Sequence, residues 1–363
     1  INPPYAEASN ARTSSGTGGN RPGLSDTTIK RKYEKEMGRS ANELFAQFFV
    51  RIVRELKGVT LGMFSKLKIL QAPNFREFRH LFAARMTRMF MVPADTFDNV
   101  TGHFPIGFQV WRTSEEIPFE ETHADMYDSV GRFIDTKTIS SYEGCEYLID
   151  WFRHYYDKAG AHYAYLRYLG TDFQNNGGVF LTLEPSDNDL KQVKGTWLTQ
   201  KNAIVGCVYF AVRLCIDASW QNDRDQFLSP AGAWNSDGSF VGNCVVFVLF
   251  HGQNRISYEQ DTNHWIPFTE EEVGAKDCFE SHFMSDFLAG KVKASGDDLF
   301  AGEAQTAFVI SPEAKAVLDA GKKLWRYYHA QPKANPNASY YDIRKFFQGM
   351  KTTAKGKEQM NAT

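Results

Sequence analysis

The chain begins with Ile1-Asn2-Pro3-Pro4-Tyr5, and this stretch decides how the first third of the sequence is interpreted. Pro3 and Pro4 have fixed φ angles and no backbone N–H, and Pro4 keeps Pro3 out of the helical region. A rigid turn of this kind leaves the Pro3 carbonyl oxygen and the Asn2 side-chain oxygen free to accept hydrogen bonds. We therefore predict an active-site turn whose two acceptors face a substrate.

Two fixed acceptors suit one reaction in particular, the methylation of a planar amino group. The exocyclic nitrogen of adenine or cytosine is a weak nucleophile, because its lone pair is delocalised into the ring. If Asn2 and Pro3 each accept one N–H, the nitrogen can become pyramidal and attack the methyl group of S-adenosylmethionine. Tyr5 would stack on a base drawn out of the helix. The alternative is an ordinary Asn-Pro turn without a catalytic role.

The segment up to Thr113 resembles the second half of the catalytic domain of adenine-specific DNA methyltransferases, a family that uses S-adenosylmethionine and has an Asn-Pro-Pro-Tyr turn. The turn and the strand-helix alternation after it carry the resemblance, which covers about a third of the chain. It implies that S-adenosylmethionine is the cofactor and double-stranded DNA the substrate. It also implies that the catalytic residues are Asn2, Pro3, Pro4 and Tyr5.

The resemblance also implies an aromatic residue that packs on the second face of the extruded base. Phe97, which closes the strand-like stretch 88–95, is the first candidate, and Phe104 is the second. An ordinary core phenylalanine is the alternative for either residue.

Hydrophobic periodicity predicts an α/β fold for this segment. Ser40-Ala41-Asn42-Glu43 has the pattern of a capping box, and apolar residues recur at helical spacing after it, so we expect a helix through Leu56. Strands are predicted at 59–70, 88–93 and 105–112, and a second helix at 74–86. Alternation of this kind is typical of an α/β sheet. The resemblance implies that this fold is the C-terminal half of a Rossmann-like methyltransferase sheet, followed by a mixed α+β domain of the target-recognition type.

A chain of 363 residues is long enough for two domains. We expect the catalytic half-domain at 1–113 and a mixed α/β target-recognition extension with a helical C-terminus at 114–363. The loop 220–227 and the segment 251–255 are rich in residues that read base edges, although a capping network would explain the loop equally well. Within the extension we predict helix at 142–169, 269–288, 311–328 and 340–348, buried strands at 177–183 and 240–250, and either helix or strand at 202–215.

Basic residues are concentrated in the first third of the chain. Between Lys30 and Arg88 there are fourteen Lys and Arg residues against five Glu, whereas residues 89–363 carry a net charge of −11. We expect Lys30, Arg31 and Lys32 to face DNA phosphates, which would give salt-dependent attraction without sequence readout. A solvated helix face is the alternative.

The cysteine pattern favours reduced thiols over a metal site. The five cysteines are odd in number and include no Cys-x-x-Cys pair, so we predict mostly buried free thiols in a cytoplasmic protein and no metal. The longest apolar run, 204–212, is too short to span a bilayer, so no membrane partner is expected.

A methyltransferase also needs a glycine-rich turn for the methionine end of its cofactor and an acidic residue for the ribose. The nearest sequence, Leu299–Glu303, lacks the second glycine. We therefore expect a C-terminal fragment whose partner is the upstream half of the catalytic domain, in the same gene or in another chain, and which is inactive alone. The alternatives are a non-catalytic DNA-specificity subunit and an RNA or protein-glutamine amino-methyltransferase.

Overall fold

The computed structural model describes residues 1, 27–56, 58–98, 100, 102, 104–232, 234, 237–291 and 309–349. The chain divides into two compact units. Unit 1 comprises Ile1–Cys145, Asp172–Gln174 and Ala218–Gln226, and unit 2 comprises Glu146–Thr171, Asn175–Asp217 and Phe227–Thr363. Unit 1 continues past residue 113, where we predicted the first domain to end, because two further strands extend its sheet.

Unit 1 combines a five-stranded sheet with four helices. The helices are α1 (Thr28–Met37), α2 (Leu44–Glu55), α3 (Lys68–Gln71) and α4 (Arg76–Leu81). The strands are β1 (Thr60–Lys66), β2 (Arg85–Pro93), β3 (Pro105–Arg112), β4 (Glu121–Tyr127) and β5 (Phe133–Ser140). Short 3-10 turns occur at Gly38–Asn42, Pro73–Phe75 and Ala94–Thr96.

The sheet of unit 1 is mixed, with the strand order β1-β3-β2-β4-β5. Strand β3 is antiparallel to both β1 and β2, so β1 and β2 run parallel to one another. Strand β4 is parallel to β2, and β5 returns antiparallel beside β4. The predicted α/β fold is confirmed at this level. That the sheet is half of a Rossmann-like sheet stays a prediction.

Alternate residues of each strand divide the sheet into two faces. Met63, Met91 and Trp111 are buried and belong to the same apolar core as the helices, in which Phe49 is fully buried. The side chains that alternate with them, such as Phe64 on β1, are half-buried. The period of two that predicts a strand therefore also assigns its residues to the two faces.

The start of α2 differs from the predicted capping box. The Ser40 hydroxyl donates to the Met37 carbonyl at 2.7 Å, and the Glu43 carboxylate pairs with Lys68. Neither side chain caps α2, which begins at Leu44 directly after the Gly38–Asn42 turn. The capping box is wrong because Ser40 bonds within the preceding turn and Glu43 pairs with a distant residue, Lys68.

Unit 2 is mostly helical and contains a small antiparallel sheet. The sheet has the order β7-β6-β8, with β6 (Ala164–Arg167), β7 (Phe180–Thr182) and β8 (Gly195–Leu198). The helices are α5 (Leu148–Arg153), α6 (Asp187–Lys191), α7 (Ala203–Leu214), α8 (Gly238–Phe250), α9 (Glu270–Val273), α10 (Phe283–Leu288), α11 (Pro312–His329) and α12 (Tyr340–Gly349). A 3-10 turn spans Phe173–Gly178.

The predicted strand at 240–250 is wrong, because this stretch is helix α8. Its N-cap residue Asp237 accepts a hydrogen bond from the Phe240 N–H at 2.9 Å, and residues around most of the helix are buried. A helix that is apolar on nearly every side shows no period of 3.6, so an apolar run alone cannot separate it from a buried strand. The undecided stretch 202–215 is also a helix, α7.

Helix α11 confirms the prediction made from its start signals. Pro312 lies in its first turn, and the Ser311 hydroxyl accepts from the Ala314 N–H at 3.2 Å. The predicted helices at 142–169 and 269–288 are much shorter, and the first stretch also contains β6. In the parts of the chain that the structure describes, no helix combines the length and apolar character needed to cross a membrane.

The five cysteines are free thiols, but the prediction that most are buried is wrong. Cys207 on α7 and Cys244 on α8 are buried, and burial raises the pKa of both. The other three are exposed because they lie outside the packed helices, and these are Cys145, Cys215 and Cys278.

Candidate functional site

The residue before the predicted catalytic turn, Ile1, lies against the sheet of unit 1. Asn2, Pro3, Pro4 and Tyr5 themselves lie outside the described residues. The Ile1 backbone nitrogen donates to the carbonyl of Gly62 on β1 at 2.7 Å. The residue that precedes the turn therefore contacts the outer strand of the five-stranded sheet.

The two predicted base-stacking residues lie at one end of two inner strands, where β2 ends and β3 begins. Phe97 follows β2, and Phe104 directly precedes β3, whose N-terminal end meets the C-terminal end of β2. The Ala94 N–H donates to the Phe104 carbonyl at 2.9 Å, which ties the two connections together. Both phenylalanines are half-buried.

Strand β1 contributes one partner to each of these phenylalanines. The ring of Phe64 makes an edge contact with Phe97, with centroids 5.2 Å apart. The Lys66 ammonium lies 5.4 Å from the centroid of the Phe104 ring, within cation–π range. Since Phe64 and Lys66 are two residues apart on a strand, both project from the same face.

An aromatic row crosses that face, and sequence analysis did not find it. Phe64, Phe108 and Phe90 are directly opposite one another in register, with ring centroids 4.9 and 5.3 Å apart along the row. Tyr127 and the exposed Phe133 extend the row onto β4 and β5. The alternation of residues 105–112 could have indicated it, because Phe108 lies on the face of β3 that is not buried in the core. We call the following six residues the aromatic face: Phe64, Phe90, Phe97, Phe108, Tyr127 and Phe133.

A buried carboxyl group in unit 1 has a pKa in the physiological range. Burial raises the pKa of Asp223 to about 6, Arg224 opposes the shift, and Asp172 and Asp225 add to it. The Arg224 guanidinium contacts Asp223 at 3.2 Å and Asp172 at 3.4 Å. A carboxyl with this pKa can exchange a proton near neutral pH. No pattern in the sequence identifies it, because its environment comes from distant segments.

Most of the polar loop at 220–227 is committed to internal contacts. The Asp225 carboxylate pairs with Lys137 and accepts from Gln71 Nε2 at 3.0 Å. Gln226 Nε2 donates to the Arg224 carbonyl at 2.8 Å. The capping-network alternative therefore describes these side chains better than base readout does.

The predicted phosphate-binding residues of α1 differ in solvent exposure. Lys30 Nζ donates to Asn42 Oδ1 at 2.9 Å and lies 3.8 Å from Glu34, so its charge is partly matched within unit 1. Arg31 and Lys32 are exposed. The Lys32 ammonium lies 4.9 Å from the centroid of the Tyr33 ring, and the contact raises its pKa.

In the segment 251–255, the structure rules out one of the predicted base readers. Asn254 is buried, its Nδ2 donates to the Val248 carbonyl at 3.1 Å, and its Oδ1 accepts from the Ile256 N–H at 3.3 Å. Gln253 and Arg255 remain half-buried and can reach a ligand.

The connection after β1 does not supply a glycine-rich turn for the methionine end of S-adenosylmethionine. In open α/β sheets such ligands bind beyond the carboxyl ends of parallel strands, where glycines allow a close approach. The connection between β1 and α3 is the single residue Leu67, whereas the connection between β2 and β3, residues 94–104, contains one glycine, Gly102. Within the described ranges, no three His, Cys, Asp or Glu side chains converge on a possible metal position.

No protein-family model matches the chain, and no curated protein matches it.

Proposed function

We propose that the chain carries the catalytic turn and the target-recognition part of a DNA methyltransferase. The enzyme would transfer a methyl group from S-adenosylmethionine to the exocyclic amino group of adenine, in the cytoplasm, as part of a restriction-modification or phage-defence system. The observation that carries the proposal is the contact of Ile1 with Gly62. Ile1, which precedes the turn in the chain, lies against the sheet that also carries Phe97 and Phe104.

In the proposed site, this chain holds and orients the adenine. Asn2 and the Pro3 carbonyl would accept the two N–H groups of the amine, so that its lone pair is released from the ring. Tyr5 would stack on one face of the base and Phe97 on the other, with Phe104 as the second candidate. Stacking of this kind contributes about 1–3 kcal/mol for each base. S-adenosylmethionine would supply the methyl group when bound.

Unit 1 would be the second half of the Rossmann-like sheet. The parallel orientation of β1 and β2, with α3 and α4 between them in the chain, supports this assignment. Exposed basic residues on α1, Arg31 and Lys32, would attract DNA through its phosphates. Unit 2 would contribute to target recognition.

A second candidate is a non-catalytic DNA-specificity subunit. It is favoured by one observation, that the connection after β1 is the single residue Leu67 and offers no glycine-rich turn for the cofactor. The two candidates differ in what Asn2 does, since a specificity subunit does not need its side-chain oxygen.

The test compares Asn2→Ala with Asn10→Ala, a matched change in the same stretch of sequence, each made in the full reading frame that contains this chain. We expect Asn2→Ala to lower N6-methyladenine formation in duplex DNA by about 100-fold or more, as loss of a preorganised hydrogen bond does elsewhere. Asn10→Ala should leave it unchanged. Mass spectrometry of digested DNA measures the product, and binding of radiolabelled S-adenosylmethionine checks that the cofactor still binds.

Equal methylation by both variants would show that Asn2 is not catalytic and would contradict the proposal. DNA binding without any methylation by the unmodified protein would favour the specificity subunit. Methylated adenine in RNA, or methylated glutamine in a peptide, would identify the other amino-methyltransferase class.

A further inference from the structure

Two arginines of unit 2 lie beside the turn that begins at His251. The Arg255 guanidinium lies 4.0 Å from the centroid of the Phe180 ring. The Arg344 guanidinium lies 5.6 Å from the centroid of the Tyr340 ring. An added Cβ on Gly252 would come within 2.9 Å of Arg344 Nη1, so this guanidinium lies directly against the backbone of the turn.

The turn itself is held by hydrogen bonds. The Asn254 N–H donates to the His251 carbonyl at 3.0 Å, and the Gln253 N–H donates to His251 Nδ1 at 3.1 Å. Burial lowers the pKa of His251, and the nearby Arg344 charge lowers it further. A neutral imidazole is the form that can accept at Nδ1, so the environment of His251 favours this turn.

The residues after the turn continue as an extension of the small sheet. The Leu181 N–H donates to the Gln253 carbonyl at 3.0 Å, and the Arg255 N–H donates to the Leu181 carbonyl at 2.9 Å. Gln253 and Arg255 therefore share one side of the sheet, opposite the buried Asn254. Gln253 Oε1 accepts from both Nη2 and Nε of Arg255, at 2.6 and 3.2 Å.

The charges of this pair are not matched by carboxylates. Arg167 packs on the same Phe180 ring at 5.3 Å, and it is neutralised by Asp189 at 2.8 Å. Within the described part of unit 2, neither Arg255 nor Arg344 forms an ion pair of this kind. The acidic residue nearest to Arg344 along α12, Asp342, accepts hydrogen bonds from Ser257, Tyr258 and Ser339 instead.

We propose that Arg255 and Arg344 bind phosphate oxygens of double-stranded DNA. The planar guanidinium presents paired N–H donors that match phosphate oxygens, and a group stacked on a ring loses little freedom on binding. Contacts of this kind position the duplex without reading its sequence. The inference rests on the proposed function for the choice of DNA, and its chemistry is that of any phosphate oxyanion.

The test measures binding of a short DNA duplex by fluorescence anisotropy at several salt concentrations, with the full reading frame. Arg255→Gln and Arg344→Gln should each weaken binding to all sequences alike and reduce the slope of log K against log salt by about 1. Lys276→Gln removes the same charge from an exposed position of unit 2 and should change neither quantity. Gly252→Ala keeps the charge but displaces the Arg344 guanidinium, and should weaken binding as well.

An unchanged salt slope in both arginine variants, or no binding of duplex by the unmodified protein, would overturn the proposal. A site for free phosphate would be indicated if inorganic phosphate displaces the duplex at constant ionic strength, and this too would overturn it. Arg255→Lys keeps the charge, so a weaker effect than that of Arg255→Gln supports a charge contact over a folding defect. The outcome is separate from the proposed function, because arginine-dependent binding can occur whether or not Asn2 is needed for methylation.

Discussion

Each unit buries an arginine, and the two are held in different ways. In unit 1, Arg79 of α4 donates to three backbone carbonyls at 3.0 to 3.4 Å. In unit 2, Arg213 of α7 donates to Asn176 Oδ1 at 2.9 Å and to the Tyr209 hydroxyl at 3.0 Å. It also donates to two loop carbonyls, those of Leu169 and Gly170.

The aromatic residues around the two arginines also differ. Arg79 is also buried and follows Phe78 on α4, in a core of phenyl rings where Phe49 contacts Phe78 and Phe82 edge-on. Arg213 is almost fully buried, and its guanidinium lies 4.7 Å from the centroid of the Phe227 ring. The comparison indicates that unit 1 depends on apolar packing, whereas unit 2 depends on a polar network that loses much when one member is removed.

The largest effect is expected for Arg213→Leu. It should lower the free energy of unfolding of unit 2 by about 4 to 5 kcal/mol, because Asn176 and two loop carbonyls lose a buried donor. Arg79→Leu should cost unit 1 about 2 kcal/mol, since its hydrogen bonds are longer. Hydrogen exchange resolved by peptide in increasing urea assigns each loss to its unit. Equal losses would show that the two arginines are not held differently.

A smaller effect separates the two faces of the sheet in unit 1. Phe49→Ala should cost about 3 to 4 kcal/mol, because Phe49 is fully buried and leaves a cavity. Phe64→Ala, on the half-buried aromatic face, should cost about 1 kcal/mol. Thermal and urea unfolding of both variants provide the measurement. A loss for Phe64→Ala as large as that for Phe49→Ala would mean that the aromatic face is core and cannot accept a base.

The elements that could be predicted from sequence are those with a clear period or an explicit start signal. Strand β3 has the bounds expected from its alternation, and α11 begins at the expected Pro312. Helix α8 was missed because it is apolar on nearly every side, so its composition matches that of a buried strand.

The candidate site could be predicted only where residues follow one another in the chain. Phe97 and Phe104 stand seven positions apart, and both lie where β2 ends and β3 begins. The environment of Asp223 could not be predicted, because Asp172 and Lys66 reach it from segments about 50 and 160 positions away. Long-range pairing of this kind is set by the tertiary fold, which local patterns do not encode.

The smallest effect is a dependence of stability on pH that has opposite signs in the two units. The folded pKa of Asp223, about 6, lies above the ordinary value of about 3.9. Folded unit 1 therefore binds more protons than unfolded unit 1 between these values, and its stability falls as the pH rises from about 4 to 6. Arg85 lowers the pKa of Glu115 in the same unit, so this group contributes with the opposite sign and at lower pH than Asp223.

Unit 2 should respond in the other direction, because burial lowers the pKa of three histidines below the ordinary value of about 6.5. The three are His251, His264 and His329. The unfolded chain then binds more protons, so the stability of unit 2 rises as the pH rises towards the ordinary histidine pKa of about 6.5.

Peptide-resolved hydrogen exchange between pH 5 and 6, corrected for the intrinsic pH dependence of exchange, should show the two units changing in opposite directions, with unit 1 losing about 1 kcal/mol. Asp223→Asn should remove most of the slope in unit 1 and leave that of unit 2 unchanged. His329→Leu should reduce the slope in unit 2 alone, because His329 is buried and its Nε2 has no hydrogen-bond partner among the described residues. Slopes of the same sign in the two units would contradict the assignment of Asp223 to one slope and the histidines to the other.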